Sequence, residues 1–163
     1  MKNLKYEDLN NLYRLLLKKA ETAMETAYNP YSDFFVGAAL YSYPNCEKII
    51  TGSNVENAAY GSTICAERAA LLRANAMGFR NFKAIAIITR GKDFDTKEVS
   101  APCGSCRQML YEASQISEKN LEIILSTTKK DKIIITSINE LLPLAFGPKD
   151  LGIDIKKYQG SKW

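Results

Sequence analysis

The run Phe82-Lys83-Ala84-Ile85-Ala86-Ile87-Ile88 is apolar at nearly every position and rich in β-branched isoleucine. That composition predicts the central strand of a sheet. The flanking segments decide what kind of sheet. Upstream, residues 63–77 carry a helical pattern, with the Thr63 hydroxyl able to cap it. Ala66, three residues on, leaves the capping box incomplete, and Gly78 is a suitable stop. Downstream, a polar loop over residues 90–100 precedes Pro102, which suits the first position of a helix running to about Ser114.

Further out, residues 121–125 and 132–136 read as two strands joined by a polar turn, and Ser137 introduces a short helix over 138–142. On the N-terminal side, residues 34–41 follow a Pro30-Tyr31-Ser32-Asp33 turn as a buried strand, and residues 48–52 form its hairpin partner across Pro44-Asn45. Residues 54–62 are a loop. A first helix spans about 6–28, with Leu9, Leu12, Leu16, Ala20, Ala23 and Ala27 at three- and four-residue steps until Asn29-Pro30 ends it. The order α-β-β-α-β-α-β-β-α predicts an α/β fold, a three-layer α-β-α sandwich around a five-stranded mixed sheet. One domain is expected over 1–163, with its core at about 5–151 and no clear pattern after Pro148.

A chain of 163 residues, 46% hydrophobic and 25% charged, can build a core without disulfides. The net charge of +4 is modest. Its basic residues are scattered, and Lys129-Lys130-Asp131-Lys132 and Lys156-Lys157 are short runs, so no nucleic-acid partner is expected. Neither a secretory signal nor an apolar stretch of membrane-spanning length is visible. The expectation is a cytoplasmic protein without membrane contact, whose four cysteines are metal ligands or buried thiols. The sequence holds no histidine. That excludes Ser-His-Asp and Cys-His catalysis and every histidine-based metal site. Proton transfer near neutral pH then falls to a perturbed carboxylate, a lysine, a tyrosine or a metal-bound water.

Two clusters offer that chemistry: Cys65-Ala66-Glu67-Arg68 and Pro102-Cys103-Gly104-Ser105-Cys106. Each stands where a helix is expected to begin, and a helix N-terminus favours thiolate over thiol. Cys103 and Cys106 can grip one ion from a single turn, and Cys65 can be a third ligand. Three protein ligands and an open position describe a catalytic zinc site, and Glu67 is a carboxylate beside it. The competing readings are a structural zinc site, which wants a fourth ligand, and a redox dithiol, which leaves Cys65 unexplained. The remaining cysteine, Cys46, falls in the hairpin turn and has no assigned role.

These clusters fit the Cys-x-Glu and Pro-Cys-x-x-Cys signature of zinc nucleoside deaminases. With Asn54-Val-Glu-Asn-Ala-Ala-Tyr60, the 28–40 stretch, Pro102-Cys-Gly-Ser-Cys-Arg-Gln108 and Glu140-Leu-Leu-Pro-Leu-Ala-Phe146, the chain resembles the small homotetrameric cytidine deaminases from its first helix to about Leu151. The resemblance implies hydrolysis of cytidine and deoxycytidine in pyrimidine salvage, with one zinc ion per subunit on Cys65, Cys103 and Cys106. Glu67 would shuttle the proton, and Arg68 would donate to the thiolates. Asn54 and Glu56 would hold the ribose 3′-hydroxyl, the backbone of Ala66 the base carbonyl, and Phe34 the pyrimidine ring. Tyr60 would lie near a subunit contact, and Phe146 would enter a neighbouring subunit's pocket. The alternatives are a deaminase for another aminopyrimidine and, from another class, a nucleic-acid binder or editor or a zinc-stabilised interaction module. Phe35 departs from the family pattern, where a polar residue is expected at the pocket edge, and so do the 90–100 loop and the segment beyond Leu151.

Overall fold

The computed structural model describes residues 1–44 and 47–159. Ten helices and strands are named along the chain: β1 (Lys2–Leu4), α1 (Asn11–Met24), β2 (Phe34–Ser42), β3 (Lys48–Ser53), α2 (Ala66–Ala76), β4 (Phe82–Gly91), α3 (Gly104–Ser117), β5 (Glu122–Thr127), β6 (Ile133–Ser137) and α4 (Ile138–Leu141). One sheet runs in the order β1-β6-β5-β4-β2-β3. Only the β4–β5 pair is parallel, and α3 makes the crossover between them. The mixed α/β sheet is the predicted one with a sixth strand added. Lys2–Leu4 pairs with Ile133–Ile135 at the edge, and three residues are too short to carry a period that sequence could register.

Alternation along the strands builds two cores. Ala84, Ala86 and Ile88 of β4 join Ala39, Ile124 and Ile133 beneath Leu16, Leu17, Ala20 and Met24 of α1. Ile85 and Ile87 join Ala38, Leu40, Ile123 and Leu125 beneath Ala66, Ala70 and Ala74 of α2 and Leu110 and Ala113 of α3. The helices can sit this close because the strands carry glycine where backbones meet. A Cβ on Gly37 would stand 1.9 Å from the Ala20 carbonyl oxygen, and one on Gly52 2.4 Å from the Ala70 nitrogen.

Several boundaries differ from expectation. The first helix does not run unbroken from Tyr6. A 3-10 turn at Tyr6–Asp8 is separate from α1, whose N-cap Asn10 accepts from the Tyr13 N–H at 2.8 Å. The helix over 63–77 begins at Ala66 with Cys65 as N-cap, and the Thr63 hydroxyl instead accepts from the Asn57 N–H. Pro102 lies outside α3, whose N-cap is Cys103. Ser137 does open α4, with a complete capping box to Glu140. The segment after Pro148, patternless in sequence, holds 3-10 turns at Pro148–Leu151 and Lys156–Tyr158. Cys46 and the Asn45 part of the hairpin turn lie outside the described residues.

Strand direction places the helix starts. β3 and β4 point the same way, because each is antiparallel to β2 between them. Their C-terminal ends therefore share one edge of the sheet, and α2 and α3 both start from it. Phe34 opens β2 opposite Gly91 at the end of β4, on the same edge.

Candidate active site

At that edge the three cysteines converge. Their sulfurs all lie within 4.8 Å of one another. Cys65 Sγ is 3.9 Å from Cys103 Sγ, which is 3.5 Å from Cys106 Sγ. Tetrahedral zinc with Zn–S bonds of about 2.3 Å sets neighbouring sulfurs about 3.8 Å apart. The three thiols therefore fit such an ion. Among the described residues no fourth histidine, cysteine or carboxylate joins them, as a closed structural site would require.

The thiols share protons unequally. Hydrogen bonding from Cys106 holds Cys65 down to about 5 against its burial, with Arg68 and Cys103 adding to the effect. Donation to Cys65, followed by burial, pushes Cys106 far above the ordinary thiol range. Cys65, the N-cap of α2, is thus held toward the thiolate and Cys106 toward the thiol. Arg68, one turn into α2, donates through Nη2 to the Thr63 carbonyl at 2.6 Å and to Cys65 Sγ at 3.8 Å. Its Nε is buried without a hydrogen-bond partner.

Glu67 is 5% exposed, in the first turn of α2. Burial raises its carboxyl above the ordinary range, and the Cys65 charge pushes the same way. Ala66 opens α2, so its N–H belongs to the first turn, whose donors have no partner within the helix.

Three of the predicted pocket residues, Asn54, Phe34 and Glu56, are joined by hydrogen bonds. Asn54 Nδ2 donates to the Phe34 carbonyl at 2.8 Å, and its Oδ1 accepts from the Val36 N–H at 2.9 Å. Each bond uses one of the amide's two hydrogens or lone pairs, which leaves capacity for a hydroxyl. Glu56 Oε2 accepts from the Tyr31 and Ser32 N–H groups at 2.9 and 3.2 Å, and Oε1 from the Ser32 hydroxyl. Ser32 in turn accepts from the Phe34 N–H at 3.1 Å. Ser32 was legible only as a turn residue; its place beside Phe34 was the available signal.

Tyr60 packs edge-on against Tyr31 at 5.9 Å and is 75% exposed. Phe146 is 61% exposed, and Gln108 of α3 donates to its carbonyl at 2.9 Å. The described contacts of Phe146 run to α3 and not to the cysteines. Phe35 does not shape the pocket edge as its sequence position suggested. It lies on the opposite face, packed with the α1 core under the Arg90 guanidinium at 4.4 Å. The 90–100 loop begins as a tight turn, in which the Gly91 N–H donates to the Phe94 carbonyl at 2.9 Å.

The family model for the cytidine and deoxycytidylate deaminase zinc-binding region matches residues 11–121. A cytidine deaminase of Halalkalibacterium halodurans is 43% identical over 138 residues, 85% of this chain and 96% of that protein. One from Sporosarcina psychrophila is 40% identical over 136 residues, 83% of this chain and 92% of that protein. The crystal structure of cytidine deaminase from Burkholderia pseudomallei superposes with a TM-score of 0.72 at 43% identity, covering 82% of this chain and 98% of that one. The structure from Mycobacterium tuberculosis gives 0.66 at 33% identity, covering 86% and 99%. With its thiol cluster, its sheet and its sequence in agreement, this chain belongs to the zinc-dependent cytidine deaminase family.

Proposed function

We propose that this protein hydrolyses cytidine and deoxycytidine to uridine and deoxyuridine, releasing ammonia, as a cytoplasmic enzyme of pyrimidine salvage built as one domain over 1–163. The observation that carries the reading is a buried carboxylate, Glu67, in the same helical turn as one of three convergent thiols. Cys65, Cys103 and Cys106 would hold a zinc ion, which would lower the pKa of a water toward neutral pH. Glu67 takes one proton from the reacting water and delivers it to N3 of the cytosine ring, then takes the remaining proton from the new C4 hydroxyl and passes it to the amine as the C4–N bond breaks. A carboxyl raised by burial suits both directions of transfer. Arg68 and the two helix N-termini offset the negative charge that three thiolates leave on the site.

Asn54 and Glu56 hold the ribose 3′-hydroxyl, the Ala66 N–H the base carbonyl, and Phe34 the face of the ring. Tyr60 and Phe146 complete the pocket across subunits of a homotetramer. Their exposure in the single chain supports that assignment. No helix among the described residues is long and apolar enough to cross a membrane.

The test is ultraviolet absorbance of cytidine and deoxycytidine conversion, with metal analysis, for wild type and Glu67→Ala. Turnover with one zinc per chain, lost in Glu67→Ala while zinc stays bound, is the expected result. Bound zinc with no turnover of any cytosine nucleoside would overturn the reading.

A further inference from the structure

We propose that Ser32 is a positioning residue that sets Glu56 to read a single hydroxyl of the substrate sugar. The inference rests on the reading of Glu56 as the group that holds the 3′-hydroxyl. An ionised carboxylate offers about four lone-pair positions, two on each oxygen. The Tyr31 and Ser32 amides occupy both on Oε2. The Ser32 hydroxyl occupies one on Oε1. One acceptor position remains, so Glu56 can receive one further donor and not a pair.

The direction of the Ser32 bond is fixed by its neighbours. A serine hydroxyl has one hydrogen, and Ser32 Oγ already accepts from the Phe34 N–H at 3.1 Å. Its hydrogen goes to Glu56 Oε1, because an ionised carboxylate can only accept. Asp33, between the two, adopts a left-handed φ of 52°, which folds the chain back so that the hydroxyl lies over the Phe34 amide. Burial works against ionisation of Glu56, but the Ser32 hydroxyl and the Tyr31 and Ser32 amides outweigh it and hold the carboxyl below its ordinary range. Glu56 thus meets the sugar as an acceptor.

The same hydroxyl lies at the end of a chain of contacts whose other members are fixed without it, Phe34 being held by its pairing with Gly91 and by Asn54. From Asn54 the connection runs to the Phe34 carbonyl, from the Phe34 amide to Ser32, and from Ser32 to Glu56. The Ser32 hydroxyl therefore acts on the orientation of Glu56. Without the Ser32 hydroxyl, Glu56 Oε1 has two open lone pairs and can turn away from the angle that matches one hydroxyl.

The test compares cytidine with 3′-deoxycytidine on zinc-replete enzyme. Ser32→Ala lowers kcat/KM for cytidine about tenfold, chiefly through KM, the loss of one charge-assisted hydrogen bond's influence. For 3′-deoxycytidine it changes kcat/KM by less than about twofold, since that substrate has no hydroxyl for Glu56 to read. Ser32→Thr, which keeps the hydroxyl on an exposed turn, restores the wild-type ratio between the two substrates. If Ser32 merely braced the turn, Ser32→Ala would depress both substrates alike, and that result overturns the proposal. Glu56→Gln separates the two levels of the argument. A collapsed ratio in Glu56→Gln beside an intact ratio in Ser32→Ala removes the role of Ser32 alone. An intact ratio in Glu56→Gln removes the reading of Glu56 and this inference with it.

Discussion

At 5% exposure, Glu67 is a carboxylate shielded from bulk solvent, and burial and the neighbouring Cys65 charge both favour its protonated form. Glutamine keeps its volume and removes its proton. Glu67→Gln should lower turnover by a factor of about 10² to 10⁴, the usual worth of general acid–base catalysis, while zinc stays at one per chain. Absorbance kinetics and metal analysis on the same preparation check both halves. Arg68 acts one step away, tied to the Thr63 carbonyl and Cys65 Sγ. Losing such a partner typically costs about 10- to 100-fold in activity or metal affinity. Arg68→Gln should therefore reduce turnover by about that factor with a melting temperature near wild type. Unchanged kinetics in the zinc-loaded variant would show that the guanidinium does not offset the thiolate charge.

Among elements, α2 is held close to the sheet, because its first two turns rest on the Gly52 backbone. A Cβ there would meet the Ala66 carbonyl oxygen at 2.6 Å as well as the Ala70 nitrogen. Gly52→Ala should cost about 1–3 kcal/mol, the usual penalty of overpacking, and should weaken zinc retention by lifting the turn that carries Cys65. Calorimetry and a chelator competition test this. On the other face, Tyr13 of α1 donates to Glu122 of β5 at 2.7 Å. Burial, then the Glu122 bond and charge, raises its phenol well above the ordinary tyrosine range. The unfolded chain loses that proton near pH 10 and the folded protein only higher, so the folded state binds more protons there and its stability falls as pH rises past 10. Tyr13→Phe should be less stable at neutral pH and should lose less on alkaline titration. The elements themselves were largely legible, since apolar runs such as 82–88 and the Ser137 stop-and-start carry their own period and cap. The three cysteines that the fold brings together were legible because a histidine-free chain leaves few donors. What sequence could not register was contact across the fold. Thr63 looks like a cap until the Asn57 amide claims it, Phe35 looks like pocket until strand alternation turns it to α1, and Ser32 looks like a turn until Glu56 is beside it.

For the whole molecule the decisive surface is the segment after α4. Leu144 is fully exposed and sits at a left-handed φ of 55°, a conformation that costs a side-chain-bearing residue about 1–2 kcal/mol. Phe146 follows it at 61% exposure, anchored through its carbonyl by Gln108. Tyr28, Tyr31, Val55 and Tyr60 add exposed apolar surface on the loops around Glu56. Strain and apolar exposure together are sustained when a second surface covers them. If that surface is another subunit's pocket, assembly and catalysis are one equilibrium. Phe146→Ala, which leaves the Gln108 bond to the backbone intact, should then do two things at once. It should shift sedimentation velocity toward smaller species at low protein concentration, and it should make specific activity fall on dilution where wild type stays constant. Zinc content should not change, because α3 and its cysteines keep their contacts within the chain. A Phe146→Ala protein with wild-type sedimentation and dilution-independent kinetics would confine the site to a single chain. So would a fully active wild-type monomer.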